Sequence, residues 1–229
     1  MGDISEAIRV ALGLIVSLDR ELLGIVGLSL WVSLTATLLA FCAGAPIGLL
    51  LAMRRFRGRH AALVLVNALL GLPSVVVGLV IYLLLSRSGP FGALGLLFTP
   101  SAMIAAQFVL TLPIVVALVH RLTEGLWHSY GDSLQVHGAS RPIAGLAVLY
   151  MARSGLVTVL LTAFGRAVAE VGAIIVVGGN IRGHTRTMTT AIALETSRGD
   201  LALALGLGLI LISITIVVSA AAFALSKRD

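Results

Sequence analysis

The sequence has little charge and almost no lysine. Of its 229 residues, 11% are charged and 59% are hydrophobic, whereas soluble domains carry about 25% charged residues. The only lysine, Lys227, lies outside any glycine-rich stretch, which excludes the Gly-x-x-x-x-Gly-Lys loop that cradles nucleotide phosphates. We therefore predict a polytopic membrane protein that does not hydrolyse ATP itself.

Other absences exclude several kinds of site. Cys42 is the only cysteine and lies in an apolar run, so neither an intrachain disulfide nor a cysteine-based zinc site can form. The sequence has no His-Glu-x-x-His and no Gly-x-Ser-x-Gly, and we predict no catalytic residues and no metal site. His120, His128 and His137 have no neighbours of metal-site type and are interpreted as loop residues.

The apolar runs predict an all-α integral membrane fold with five transmembrane helices. A span needs about 20 residues, and the runs cover residues 22–53, 61–86, 101–120, 142–177 and 201–225. Pro73 and Pro113 are expected to kink two of these spans, and residues 87–100 to form a short helix against the bundle. Residues 1–21 have apolar positions at helical spacing, which predicts an N-terminal amphipathic helix on the membrane surface. Asp3 and Glu6 in this helix differ from the basic start of a signal peptide.

The arginines indicate the orientation in the membrane. The net charge is +6, and the basic residues lie at the ends of apolar runs, a pattern that topology explains better than nucleic-acid binding. Eight basic residues flank the spans on one side and six on the other, so the positive-inside rule places the N-terminus outside and the C-terminus in the cytoplasm. The six include Arg182, Arg186 and Arg198, whose location against the rule suggests a function.

The fourth predicted span contains an ionisable pair, Arg166 and Glu170, one helical turn apart. Charge inside a bilayer is costly and is by default a functional hypothesis. One interpretation is a self-neutralised pair that snorkels to the membrane surface or packs between helices. The other places the pair beside a transport pathway, where it opens or exchanges partners between states.

The span ends at Gly178, Gly179 and Asn180, which we interpret as part of a pathway or gate, and a basic, threonine-rich segment follows. An extended or turn conformation of this segment would place its alternate basic side chains on one side. Positive charges and hydroxyl donors suit an oxyanion or its delivery protein; a solvated outer loop is the alternative. The candidate contacts are Arg182, His184, Thr185, Arg186 and Thr187.

The longest polar interruption, about residues 122–145, resembles the cytoplasmic loop of permease subunits of ABC importers. Gly138, Ala139 and Ser140 match that loop, whereas Asp132, Ser133 and Leu134 keep only the acid of its Glu-Ala-Ala motif. Independently of the resemblance, Gly138 allows two short helices to meet sharply, and Ser140 can cap the second, with Pro142 in its first turn. The resemblance implies that the loop docks on an ATPase subunit; an ordinary connecting loop is the alternative. The candidate coupling residues are Trp127, Asp132, Ser133, Leu134, His137, Gly138, Ala139, Ser140 and Arg141.

Further segments resemble one branch of that family, the permeases for tungstate, molybdate and related oxyanions. They are residues 72–79, 85–92 and 164–190, and the resemblance covers about residues 31–225. Molybdate permeases usually carry proline where Arg182 stands, so the sequence is most similar to tungstate permeases.

The resemblance implies a type I ABC importer transmembrane domain, here residues 22–229, in a bacterial or archaeal cytoplasmic (inner) membrane. Its implied partners are a second copy of the chain, two ATPase subunits, an extracytoplasmic binding protein and membrane lipid, but no nucleic acid. The chain would need no cofactor of its own, since ATP and magnesium would bind the ATPase. Import of molybdate or sulfate is an alternative. A secondary anion transporter is a more remote one, because it would normally show internal repeats and charges in several spans.

Overall fold

A computed structural model describes residues 9, 13 and 20–226, and these form helices joined by short connections, without a strand among them. The predicted N-terminal amphipathic helix, residues 1–21, lies almost wholly outside the described residues. The helices are α1 (Arg20–Met53), α2 (Arg59–Leu69), α3 (Ser74–Leu85), α4 (Pro100–Val136), α5 (Arg141–Met151), α6 (Arg153–Val168), α7 (Gly172–Gly178), α8 (Met188–Arg198) and α9 (Leu201–Ser226).

Three helices are long and apolar enough to cross a membrane unaided, namely α1, α4 and residues Leu203–Ala224 of α9. Two more spans are possible as bent pairs, α2 with α3 at 99° and α5 with α6 at 72°. Length and composition therefore agree with the five predicted spans.

The long helices α1 and α4 form the centre of the bundle. Small and β-branched side chains, among them Val32, Ala36 and Ala106, are fully buried in the described chain, and such residues allow helices to approach closely within a membrane. The outward faces remain apolar: Leu83, Ile216 and Val217 are each more than half exposed. Exposed apolar surface of this extent is expected of helices that face lipid.

The structure corrects several details of the sequence interpretation. α4 continues without interruption through Pro113 and onward to Val136, so most of the predicted polar loop is helical. His120 is buried within this helix and His128 also lies on it, which means that neither is a loop residue. The segment before α4 contains only a short 3-10 helix, Gly92–Leu94.

The fourth predicted span is also interrupted. Residues 142–177 were expected to form one span, but the chain bends after Met151 and breaks again between Val168 and Gly172. Residues 164–177 are therefore two helical pieces, and Arg166 and Glu170 do not share a continuous helix.

Candidate functional site

Two interrupted helices meet inside the bundle. The break between α2 and α3 lies beside the break between α6 and α7. One small cavity is lined by Leu70 and Leu72 from the first break, by Arg166 from the last turn of α6 and by Glu170 from the second break. α3 and α7 pack so closely that a Cβ atom on Gly78 would lie 2.8 Å from the Cα atom of Ala173. Irregular backbone at membrane depth is tolerated where it is buried in protein or lines a cavity.

Arg166 and Glu170 form the expected ion pair, with Arg166 Nη1 3.3 Å from Glu170 Oε2. The two side chains differ sharply in exposure, at 57% for Arg166 and 6% for Glu170. The other carboxylate oxygen of Glu170 accepts a hydrogen bond from the backbone amide of Ala173 at 3.3 Å. Glu170 thus secures the start of α7, while the side chain of Arg166 is more than half exposed and lines the small cavity beside the break.

Gln107 of α4 supports this region and was not singled out from the sequence. Its side-chain amide donates to the carbonyl of Ala167 at 2.9 Å and to Ser33 Oγ at 3.2 Å, which ties the end of α6 to α1. A buried amide in an apolar span is costly unless it is hydrogen-bonded, and its isolation in an apolar run was the available signal.

The predicted outer segment begins with a tight turn after α7. Asn180 has φ of 50°, a left-handed conformation that asparagine tolerates better than most residues. Its side-chain amide donates to the carbonyl of Thr190 at 3.2 Å and its oxygen accepts from Thr190 Oγ1 at 3.0 Å. Gly178 accepts a hydrogen bond from the hydroxyl of Thr185. These contacts hold Gly178, Gly179 and Asn180 in a fixed turn.

The candidate anion contacts divide into two groups. Thr185 and Thr187 are buried, and Thr187 forms a capping box with Thr190 at the start of α8, so their hydroxyls take part in the fold. Arg182, His184 and Arg186 line one cavity of about 420 Å³ against the beginning of α1. The structure therefore brings the three alternating basic residues together.

Carboxylates complete this outer cluster. Arg182 forms a bidentate ion pair with Glu21 of α1, and Arg186 Nη1 lies 3.4 Å from Glu195 Oε1 and 3.7 Å from Glu21 Oε1. Arg198 also pairs with Glu195, at 3.5 Å. The sequence analysis did not identify Glu21, because it lies far from the basic segment along the chain. It did not identify Glu195 either, which lies on the following helix, α8.

At the opposite end of the bundle, Arg59 joins three helices. Its Nε donates to the carbonyl of Leu51 at 2.7 Å, and its Nη2 donates to Glu124 Oε1 at 2.6 Å and lies 3.2 Å from His120 Nε2. Glu124 lies beyond the apolar stretch 101–120, and the hydrogen bond from Arg59 lowers the pKa of its carboxyl by stabilising the ionised form.

The candidate coupling residues surround the bend between α4 and α5. Gly138 has φ of 83°, and Ser140 occupies the N-cap position of α5 but makes no side-chain cap hydrogen bond, contrary to the expectation. Of the two short helices expected there, the first is instead the end of the long α4, and the second is α5, a helix of 11 residues. Trp127, Asp132 and Arg141 line a cavity of about 680 Å³ with Arg54 and Arg55. Of the other candidates, Leu134 and Ala139 are half-buried, whereas Ser133, His137, Gly138 and Ser140 are exposed.

Residues 44–228 match the family of binding-protein-dependent transport system inner membrane components. The chain belongs to this family. The match includes both broken helices, the outer segment and the bend after α4, and begins within α1. Membership makes the chain a multi-pass membrane permease subunit of an ABC transporter, which works with an ATPase and a binding protein.

Individual permeases are similar to this protein over most of the chain. It is 42% identical to a probable anion ABC transporter permease protein of Haloferax volcanii, over 79% of this chain and 80% of the relative. It is 38% identical to the tungstate uptake system permease protein TupB of Peptoclostridium acidaminophilum, over 86% of each chain. The TupB protein of Campylobacter jejuni is 37% identical over 87% of this chain and 83% of its own length.

Proposed function

We propose that this permease imports a tetrahedral oxyanion, and that tungstate is its principal substrate. The similarity to two permeases named for tungstate uptake, over more than four fifths of both partners in each comparison, carries the proposal. The outer cavity supports it, because Arg182 and Arg186 supply the charged donors that oxyanions bind.

The proposed working unit is a homodimer with two ATPase subunits, since five spans form half of a symmetric pathway. The N-terminus lies outside and the C-terminus in the cytoplasm, which directs Arg182 and His184 outward and the α4–α5 bend toward the ATPase. ATP and magnesium bind the ATPase, whose closure draws the bends together and opens the outer side by rigid-body movement.

Substrate passes from the outer cavity to the broken helices at Arg166 and Glu170. Discontinuous helices often surround the substrate in transporters, and a guanidinium beside the break offers the anion a charged donor inside the membrane. The outer cavity and the broken helices are connected by Gly178, Gly179 and Asn180. The fixed turn of these residues transmits movement between the two sites.

Reconstitution tests this function. Proteoliposomes with the permease, its ATPase and its binding protein are expected to accumulate tungstate only with ATP, and competing molybdate or sulfate is expected to inhibit less than unlabelled tungstate. The mass of the purified complex should correspond to two copies of the permease. Preferred uptake of molybdate or sulfate would contradict tungstate as the principal substrate. Uptake without the ATPase would indicate a secondary transporter. A complex with a single copy of this chain would contradict the homodimer.

Loss of the outer arginines is expected to reduce transport. The combined change Arg182→Gln and Arg186→Gln should lower tungstate uptake at limiting substrate by at least about tenfold, since hydrogen bonds to charged groups contribute about 1.5–3 kcal/mol each. Assembly should survive because Arg198 continues to pair with Glu195.

Arg198→Gln is the matched control for these arginines. It removes a guanidinium from the same end of the protein, but Arg198 does not line the outer cavity. We expect uptake within about twofold of the unmodified protein, the scale of ordinary surface substitutions. Unchanged uptake in the double variant would make the arginines ordinary surface charges, and an equal loss in the control would attribute the effect to the positive charge at this end of the protein in general.

A further inference from the structure

The outer cavity already holds one anion, the carboxylate of Glu21. Arg182 Nε donates to Glu21 Oε1 at 2.6 Å and Arg182 Nη2 donates to Oε2, while Arg186 Nη1 lies 3.7 Å from Oε1. A guanidinium fork binds carboxylates and tetrahedral oxyanions in the same bidentate manner. Glu21 therefore occupies donors that would equally suit an oxyanion.

The described lining of the cavity is predominantly basic. Arg20, Arg182 and Arg186 contribute three guanidinium groups and Glu21 one carboxylate, and Glu195 adds a second carboxylate beside Arg186. Its volume of about 420 Å³ is many times the roughly 30 Å³ share of one water molecule. The charge therefore favours an anion, and the space is large enough to admit one.

Arg186 provides a second, independent indication of a ligand. Its side chain is only 9% exposed and lines the cavity, yet its Nε has no hydrogen-bond partner within the part of the chain that the structure describes. A buried donor without an acceptor is unfavourable. Glu195 occupies Nη1 of the same guanidinium at 3.4 Å and leaves Nε unsatisfied.

We propose that the cavity is an oxyanion-binding site and that Glu21 is a displaceable plug that occupies it between deliveries. This inference rests on the proposed oxyanion substrate. A tetrahedral dianion has twice the charge of Glu21 and more acceptor oxygens, so it bonds to Arg182 and Arg186 together once Glu21 has withdrawn and the guanidinium of Arg186 has turned toward it. Glu21 lies on α1 and the arginines follow α7, so relative movement of these elements withdraws the plug or returns it.

Direct binding of tungstate to the purified permease tests the plug. Equilibrium dialysis of the full chain in lipid nanodiscs, without binding protein, measures bound tungsten by mass spectrometry. Glu21→Gln is expected to raise the affinity roughly tenfold, because a competing carboxylate no longer reduces the fraction of open sites. Arg186→Gln should lower it by about tenfold.

Asp200→Asn is the matched control for Glu21→Gln. Asp200 is an exposed carboxylate that accepts from the backbone amide of Leu203 and does not line the cavity, and asparagine is an equally good cap. Asp200→Asn removes one negative charge from the same end of the protein but leaves the cavity unchanged, so the tungstate affinity should remain that of the unmodified protein. An equal rise in the control would indicate general electrostatics and overturn the plug.

A shorter carboxylate keeps the test decisive if Glu21→Gln does not fold. Glu21→Asp shortens the reach to Arg182 and should also raise the affinity, though less. Unchanged tungstate binding in the folded variant would overturn the inference. A rise confined to affinity for the binding protein would do the same, since the cavity would then bind an acidic partner side chain.

Transport by the unmodified complex separates the two proposals. If that complex takes up tungstate but Glu21→Gln binds it with unchanged affinity, the plug is wrong and the function stands. If the complex takes up no oxyanion at all, the function itself is wrong.

Discussion

A permease with both Arg166→Gln and Glu170→Gln is expected to assemble and to lose at least about tenfold of its oxyanion uptake. Removing both charges leaves no buried charge without a partner, and a change of this kind is often nearly neutral for stability. The glutamine at position 170 still offers an oxygen to the Ala173 amide. The expected loss is therefore one of transport rather than of fold.

The expected loss of transport depends on the unequal exposure of the two side chains of this pair. Glu170 is 6% exposed and Arg166 is 57% exposed, which excludes a pair with both members buried between helices, whereas a snorkelling pair and a pair beside the pathway both leave the arginine exposed. Glu170 stabilises the start of α7 and orients the guanidinium, and the guanidinium itself lies beside two broken helices. An arginine in that place offers donors to a passing anion.

Uptake per assembled complex in proteoliposomes measures this effect. Arg153→Gln is a suitable control, because Arg153 lies at the start of α6 and stacks on Tyr150 at 4.7 Å, away from the break. Its uptake should be close to that of the unmodified protein. Full uptake by the Arg166 and Glu170 double variant would show that the pair is structural after all.

The single change Glu170→Gln distinguishes the role of Arg166 from that of Glu170. It removes only the acidic partner of Arg166 and leaves the guanidinium in place. We expect a moderate loss of thermal stability, since hydrogen bonds to charged groups contribute about 1.5–3 kcal/mol, and the guanidinium should remain available to the anion. Uptake above that of the double variant would assign the anion contact to Arg166.

The sequence predicted the spans well because their signal is local. An apolar run of sufficient length identifies a membrane helix wherever its partners lie, and the break before Ser74 follows from Pro73, which cannot donate a backbone hydrogen bond. The break between Val168 and Gly172 contains no proline. It depends on the contact of α7 with α3 and on the bond of Glu170 to the Ala173 amide, neither of which has a local signature.

Only the basic residues of the outer candidate site could be predicted from the sequence. Arg182, His184 and Arg186 were evident as basic residues outside an apolar run, but their partner Glu21 is separated from Arg182 by 161 positions. Only folding brings α1 to the outer segment. The polar character of residues 121–136 was interpreted as a loop, but polar residues also occur on solvent-facing helices, and α4 continues to Val136.

A carboxylate at the α4–α5 bend is expected to uncouple the permease from its ATPase. Gly138 has φ of 83° and open space around its Cα, so Gly138→Asp places an acidic side chain on the exposed bend. A substitution at the centre of an interface can cost 2 kcal/mol or more, which corresponds to a loss of about thirtyfold or more in affinity for the ATPase. Copurification and ATPase stimulation by the permease measure this loss.

Two comparisons separate coupling from backbone strain. Gly95 also has a left-handed φ, 60°, and open space around it, but precedes α4 at the opposite end of the bundle. Gly95→Asp therefore imposes a similar backbone penalty, about 1–2 kcal/mol, with no expected effect on ATPase binding. Gly138→Asn tolerates the left-handed conformation better and tests the added side chain without its charge. Full ATPase stimulation by Gly138→Asp would refute docking at the bend. An equal loss of ATPase stimulation in Gly95→Asp would attribute the effect to the fold. A loss confined to the Gly138 variants would place the ATPase on the α4–α5 bend.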